Sequence, residues 1–172
     1  MDPHALARLR AERLDWRFKA VPPQAHGTTL SRWLDGRPRL SDLPTPVMTL
    51  DAAALEHNIA AMAAWCARAG LAHAPHGKPT MAPALWNRQL EAGACGITVA
   101  NAAQLRVARE FGVPRVLLAN QLASTATLRW LGEQIADGLR AACFVDSIAT
   151  AALADDALRG TEAVLDVCVE LG

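Results

Sequence analysis

The chain has 172 residues, 52% of them hydrophobic and 20% charged, with a formal net charge of zero; this is the composition of one globular domain with a sizeable core and excludes a disordered chain. Arginines and carboxylates are interspersed, so no basic stripe exists to neutralise a phosphate backbone, and nucleic acid is excluded as a partner. No stretch reaches the roughly twenty apolar residues of a membrane span, and Met1-Asp2-Pro3-His4 leads into charges rather than an apolar signal core, which predicts a cytoplasmic protein without membrane contact.

Residues 1–44 differ from the rest. They are rich in proline and arginine and carry Trp16, Phe18 and Trp33, which predicts a short helix from about Ala5 to Arg17, then a turn-rich stretch. Such a segment reads as an N-terminal extension that packs on something, because exposed tryptophans are expensive to leave in water. From Thr45 to Gly172 the pattern is regular. Pro46–Leu50 reads as a strand, and Asp51 as the cap of a helix with Leu55, Ile59, Met62 and Cys66 on one face. Leu71–Pro75 reads as the next strand, followed by a helix with Thr80 as cap and Pro83 in its first turn. Gly96–Ala100 is a strand; Asn101, with Gln104 three residues on, caps a helix through Leu105, Ala108 and Phe111. Arg115–Ala119 is a strand before a Ser124-capped helix with Leu128, Leu131 and Ile135, Ala141–Val145 is a strand before a helix from Ser147, and Ala163–Glu170 is a last strand.

This alternation, with continuous apolar runs in the strands, predicts a parallel β/α architecture. A doubly wound sheet would alternate in the same way, but the strand-to-helix turns lack a G-x-G-x-x-G run, which disfavours a dinucleotide fold. An eight-stranded barrel needs more strands than this sequence supplies, so the sheet is either open or incomplete.

Among the residues that carry chemistry, Lys78 stands out. The chain has fifteen arginines and two lysines, Lys19 and Lys78; a guanidinium stays protonated, whereas a lysine amine can lose its proton and attack a carbonyl. An ordinary solvated strand-end lysine is the alternative on residue type alone. Cys66, Cys95, Cys143 and Cys168 form no C-x-x-C pair and read as buried free thiols rather than disulfides or a metal site. The chain has no tyrosine, so it supplies no phenolic acid or base.

The ordered motifs Thr45-Pro-Val-Met-Thr-Leu-Asp51, Leu55-Glu-His-Asn-Ile59, Pro75-His-Gly-Lys78, Gln89-Leu-Glu-Ala-Gly-Ala94 and Gly96-Ile-Thr-Val-Ala100 resemble the fold-type III pyridoxal-phosphate enzymes. Within these, the chain is most similar to the branch with an alanine racemase N-terminal domain that holds D-threonine aldolases, D-serine dehydratases and bacterial amino-acid deaminases. The resemblance covers about Thr45 to Gly172. It implies a TIM-barrel-like (β/α) barrel, with about five of its eight strands present here and the Thr45–Leu50 strand outside it. Lys78, at the end of the first barrel strand, is then the catalytic residue, joined to pyridoxal 5'-phosphate as a Schiff base. Pro79 departs from the common Pro-His-x-Lys-Thr pattern and removes one hydroxyl and one backbone donor.

The same resemblance implies a lyase or deaminase acting on a small D-amino or 3-hydroxy-amino acid, a homodimer when full length. Lys78, His76, Asn120 and Asn101 are the expected cofactor-binding residues, with His76 stacking on or orienting the ring. Burial and the end of a helix near Thr80 are expected to keep the Lys78 amine neutral. Helix capping alone accounts for Asn101 and Ser147, and less readily for Asn120, since Ser124 is the better cap; Glu170 is placed at the rim, against an arginine or the substrate edge. No metal ligand is assigned here. Phosphate donors, the ring-nitrogen contact and any divalent metal are expected from later strands and a C-terminal domain. A non-catalytic pyridoxal-phosphate carrier and an inactive truncated fragment are the alternatives.

Overall fold

The computed structural model describes residues 1–171, and the chain divides into two compact units at Asn58/Ile59. In the first, α1 (Pro3–Arg10) is capped by Asp2 and is shorter than the sequence predicts. It ends because the chain turns into an antiparallel bridge between Arg13 and Thr29, in which Leu14 N–H donates to Thr28 O at 2.9 Å and Gly27 N–H to Leu14 O at 2.8 Å. The small core holds Ala5, Leu14 and Ala25, and α2 (Leu30–Asp35) follows. Trp16 does not pack within this unit; it is 82% exposed. The expected Pro46–Leu50 strand is absent, since this stretch pairs with no described strand and most of its side chains face solvent. Asp51 caps α3 (Ala52–Ala69) as expected, accepting from Ala54 N–H at 2.7 Å.

The second unit builds α4 (Pro83–Glu91), β1 (Ile97–Val99), α5 (Ala102–Glu110), β2 (Arg115–Gln121), α6 (Thr125–Ala136), β3 (Arg140–Val145), α7 (Ile148–Leu158) and β4 (Asp166–Val169). The caps on α5, α6 and α7 are Asn101, Ser124 and Ser147. The four strands are parallel and lie in chain order, β1-β2-β3-β4. Parallel crossovers are right-handed, so sequential order puts every connecting helix on one side of the sheet. A doubly wound sheet requires the order to reverse; this one does not, and the barrel-like reading holds over the strands present.

Register shows the two faces. Ile97, Val99, Val116, Leu118, Ala141 and Cys143 are buried in one core with Leu105, Leu128, Leu131 and Ala154 from the helices. The alternate residues form a second face along the row His76, Thr98, Leu117, Ala142 and Asp166, followed by Gln121, Phe144 and Cys168. Except for Thr98 these are half-buried or exposed. A shift in β2 between Leu118 and Gln121 brings Gln121 opposite Phe144. α6 and α7 approach closely, since a Cβ on Gly132 would lie 2.7 Å from Leu158 Cδ2.

Cys66 and Cys143 are buried as expected, but Cys95 is half-buried and Cys168 exposed. Burial pushes the Cys143 thiol above its usual range, with Cys168 adding to the rise, so alkylation of the native protein should label Cys168 well before Cys143, as mass mapping over time will show. β4 leaves a free parallel edge, with Val164 and Val169 at least three-quarters exposed. Such an edge templates further pairing, so the 172-residue chain should self-associate with rising concentration in sedimentation velocity, and Val169→Lys should reduce this. A monodisperse, cooperatively melting wild-type monomer would contradict it.

Candidate active site

The segment before Lys78 runs beside β1 but does not form the strand expected over Leu71–Pro75. Thr98 N–H donates to Pro75 O at 2.8 Å and Gly77 N–H to Thr98 O at 2.7 Å, while Thr98 Oγ1 donates to Ala74 O at 2.7 Å. The pairing amounts to one bridge, His76 with Thr98, because Pro75 has no N–H to carry the ladder back.

Gly77 sets the seat of the lysine. A Cβ there would stand 2.8 Å from Trp86 Cε2 and 2.9 Å from Ile97 Cγ2, closer than any side-chain carbon tolerates. The flat indole of Trp86, 1% exposed, therefore packs directly under the backbone. Lys78, Pro79 and Thr80 then form a turn closed by Met81 N–H donating to Gly77 O at 2.9 Å. Met81 has φ 43, a left-handed conformation uncommon for a non-glycine residue, and its side chain packs on the core. The sequence offered no view of this: Gly77 occupies the variable place in Pro-His-x-Lys, and its need arises from Trp86 and Ile97, nine and twenty residues away.

Two expectations about Lys78 are corrected. The lysine is exposed rather than buried, and the following helix begins at Pro83, with Ala82 at its cap position and no side-chain cap. Thr80 belongs to the turn, because the closure onto Gly77 takes up the residues that would have been the first helical turn. Lys78 makes no hydrogen bond or ion pair with any described residue.

The other candidates gather at the C-terminal ends of the strands. His76 is exposed. Asn101 Oδ1 accepts from Gln104 N–H at 3.0 Å as the cap of α5, while Gln104 Oε1 accepts from Ala100 N–H at 2.8 Å. Asn120 lies within β2 rather than after it; its Oδ1 accepts from Gln121 N–H at 2.9 Å and its Nδ2 donates to Ala100 O at 3.2 Å, tying the ends of β1 and β2. Asp146 accepts from Thr150 Oγ1 at 3.1 Å. Glu170 meets neither an arginine nor any other cation among the described residues. Its partner is Gln121, whose Nε2 donates to Glu170 Oε2 at 2.6 Å. Gln121 escaped the sequence analysis because the strand was expected to stop at Ala119, and the register shift that extends it has no local signature. No group of three His, Cys, Asp or Glu side chains among the described residues is arranged to hold a metal.

No protein-family model matches the chain. A D-threonine aldolase from Arthrobacter sp is 31% identical over 153 residues, which cover 88% of this chain and 38% of that protein. Among solved structures, a D-threonine aldolase from Filomicrobium marinum superposes with a TM-score of 0.72 at 29% identity, covering 77% of this chain and 36% of that one. A D-threo-3-hydroxyaspartate dehydratase from Delftia sp. HT23 does so with a TM-score of 0.66 at 25% identity, covering 74% and 33%. The chain is homologous to these enzymes. It spans little more than a third of their length, and the fold shared with them over that part is that of the fold-type III barrel enzymes the motifs point to.

Gly77→Ala should destabilise the chain by about 1–3 kcal/mol in urea melts, the cost of overpacking a filled site. An unchanged melt would show that Trp86 and Ile97 yield freely and that the lysine's seat is not fixed by this contact.

Proposed function

We propose that this chain is part of a pyridoxal-phosphate-dependent lyase acting on a small D-amino or 3-hydroxy-amino acid, in the manner of a D-serine dehydratase or D-threonine aldolase, with the cofactor aldehyde joined to Lys78 Nζ. The observation that carries this reading is the placement of Lys78. It is the one lysine of the β/α region, it ends the extended segment beside β1, and its amine is exposed with no described partner. An unpaired amine at the C-terminal end of a parallel sheet is suited to capturing an aldehyde. The partial homology to an aldolase and a dehydratase supports the lyase class.

His76, Asn120 and Asn101 are the residues of this chain we assign to the cofactor's surroundings. His76 offers a ring at the same strand end, and the amides of Asn120 and Asn101 stand at the ends of the next two strand positions. When bound, the cofactor supplies an electron sink for the electron pair left at Cα. Lys78 would be the base placed to take the Cα proton. A divalent metal in a longer protein would draw on ligands other than those described. The small amino acid is the proposed partner, with a homodimer as the assembly and the cytoplasm as the location; no helix among the described residues is long and apolar enough to cross a membrane.

Incubation with pyridoxal phosphate, borohydride reduction and peptide mapping should place the label on Lys78. Lys78→Arg should abolish it despite keeping the charge. A label on Lys19, or none, would overturn the assignment. Product release from D-serine or D-threonine by a longer form would separate a lyase from a cofactor carrier, which would take the label and turn nothing over.

A further inference from the structure

The N-terminal unit carries a cleft that the cofactor reading does not use. It has a volume of about 380 Å³ and is lined by residues between Pro22 and Asp42. A 3-10 turn over Pro23–Ala25 supplies Ala25 to it, next to the buried Pro22, and α2 supplies Arg32 and Trp33. The helix stops at Gly36, and Arg37, with φ 49, turns the chain back through Pro38 into a second 3-10 turn over Leu40–Asp42. A left-handed arginine is uncommon; here it returns the chain so that Asp42 lines the same cleft as Arg32.

The lining divides by chemistry. Pro22, Ala25, Trp33 and Pro38 are apolar, and Trp33 is only half-buried, so part of its indole is open to an occupant. The Thr28 hydroxyl is committed to Ala25 O at 2.7 Å. What remains are two charges of opposite sign. Arg32 and Asp42 line one cleft, yet neither pairs with the other or with any other charged group among the described residues. Asp42 Oδ2 accepts from Arg39 N–H at 2.8 Å, which holds the carboxylate in place without neutralising it.

A lone anion would satisfy Arg32 and be repelled by Asp42, and a lone cation the reverse; the complementary ligand carries both signs close together. We propose that this cleft binds a free α-amino acid with an apolar side chain. Its carboxylate meets the Arg32 guanidinium, whose fork suits two parallel hydrogen bonds, its ammonium meets Asp42, and its side chain lies against Trp33 and the prolines. The volume is at the small end of the roughly 300–1,000 Å³ of ligand sites. That fits one amino acid better than an extended peptide, whose internal residues carry neither charge. The inference goes beyond the cofactor reading and is independent of it, since Lys78 does not line the cleft.

Calorimetric titration of the chain with L-phenylalanine, L-leucine, glycine and N-acetyl-L-phenylalanine amide tests this, with backbone NMR shifts locating the site. L-Phenylalanine and L-leucine should bind one per chain, at least about tenfold more tightly than glycine because the side chain leaves water, and the shifted signals should fall among residues 22–42. Arg32→Gln and Asp42→Asn should each weaken L-phenylalanine about tenfold, the loss of one charged hydrogen bond, with melts unchanged. Lys78→Ala should bind as the wild type does. Neither heat nor shifts at about 10 mM L-phenylalanine, where a ~1 mM site would be nearly full, overturns the proposal. So does undiminished binding by both charge variants, or equal binding of the blocked amide, which would mark a peptide groove. Loss of binding in Lys78→Ala overturns it as well, by placing the amino acid at the lysine. The borohydride label on Lys78 is read separately, so the cofactor assignment stands or falls on its own.

Discussion

Four parallel strands hydrogen-bonded in chain order leave the connecting helices no choice of side. Each right-handed return lands on the same face, and that face becomes the core of Ile97, Val99, Val116, Leu118, Ala141 and Cys143 against the helices. The opposite face is left to whatever the strands present, and the C-terminal ends of all the strands point the same way. Polar side chains collect at those ends because topology removes the helices from that face and each strand end opens into a turn.

The arginines and the lone lysine of the β/α region divide the work of positive charge. Arg109 clips α5 to the end of α6, bonding Gln134 Oε1 at 2.9 Å and pairing with Asp137, and Arg106 lies 4.5 Å over the Trp130 ring. In the N-terminal unit, Arg13 bonds Gly27 O at 2.7 Å, and Arg17 holds the Asp15 carboxyl below its usual range through a side-chain hydrogen bond. These guanidiniums are engaged in structural contacts, for which a planar fork with several donors is suited. Lys78 has no such engagement.

What was legible in the sequence was what depends on short-range pattern. The caps at Asp51, Asn101, Ser124 and Ser147 were readable because a cap is a contract between residues three apart. The strands β1, β2 and β3 were readable because burial on a parallel sheet writes itself as an apolar run. The Pro46–Leu50 strand was expected on the same grounds and does not form, since an apolar run becomes a strand only where a partner backbone exists. The exposure of Lys78 and the late start at Pro83 were equally hidden, because both follow from the turn that Met81 closes onto Gly77. The meeting of Gln121 with Glu170, forty-nine residues apart, depends on the strand order and on a register shift, neither of which has a local spelling.

The contact between Gly77 and Trp86 makes two positions share a single volume. A bulkier residue before the lysine is compatible with this architecture only if position 86 gives up the corresponding space, and a smaller residue at 86 would open a void directly below the backbone that carries Lys78. The pair is thus a lock between a helix and the lysine-bearing segment: substitutions at either position are conditional on the other, and the freedom that a four-residue motif allows at its third place is withdrawn here by an indole that the motif does not contain.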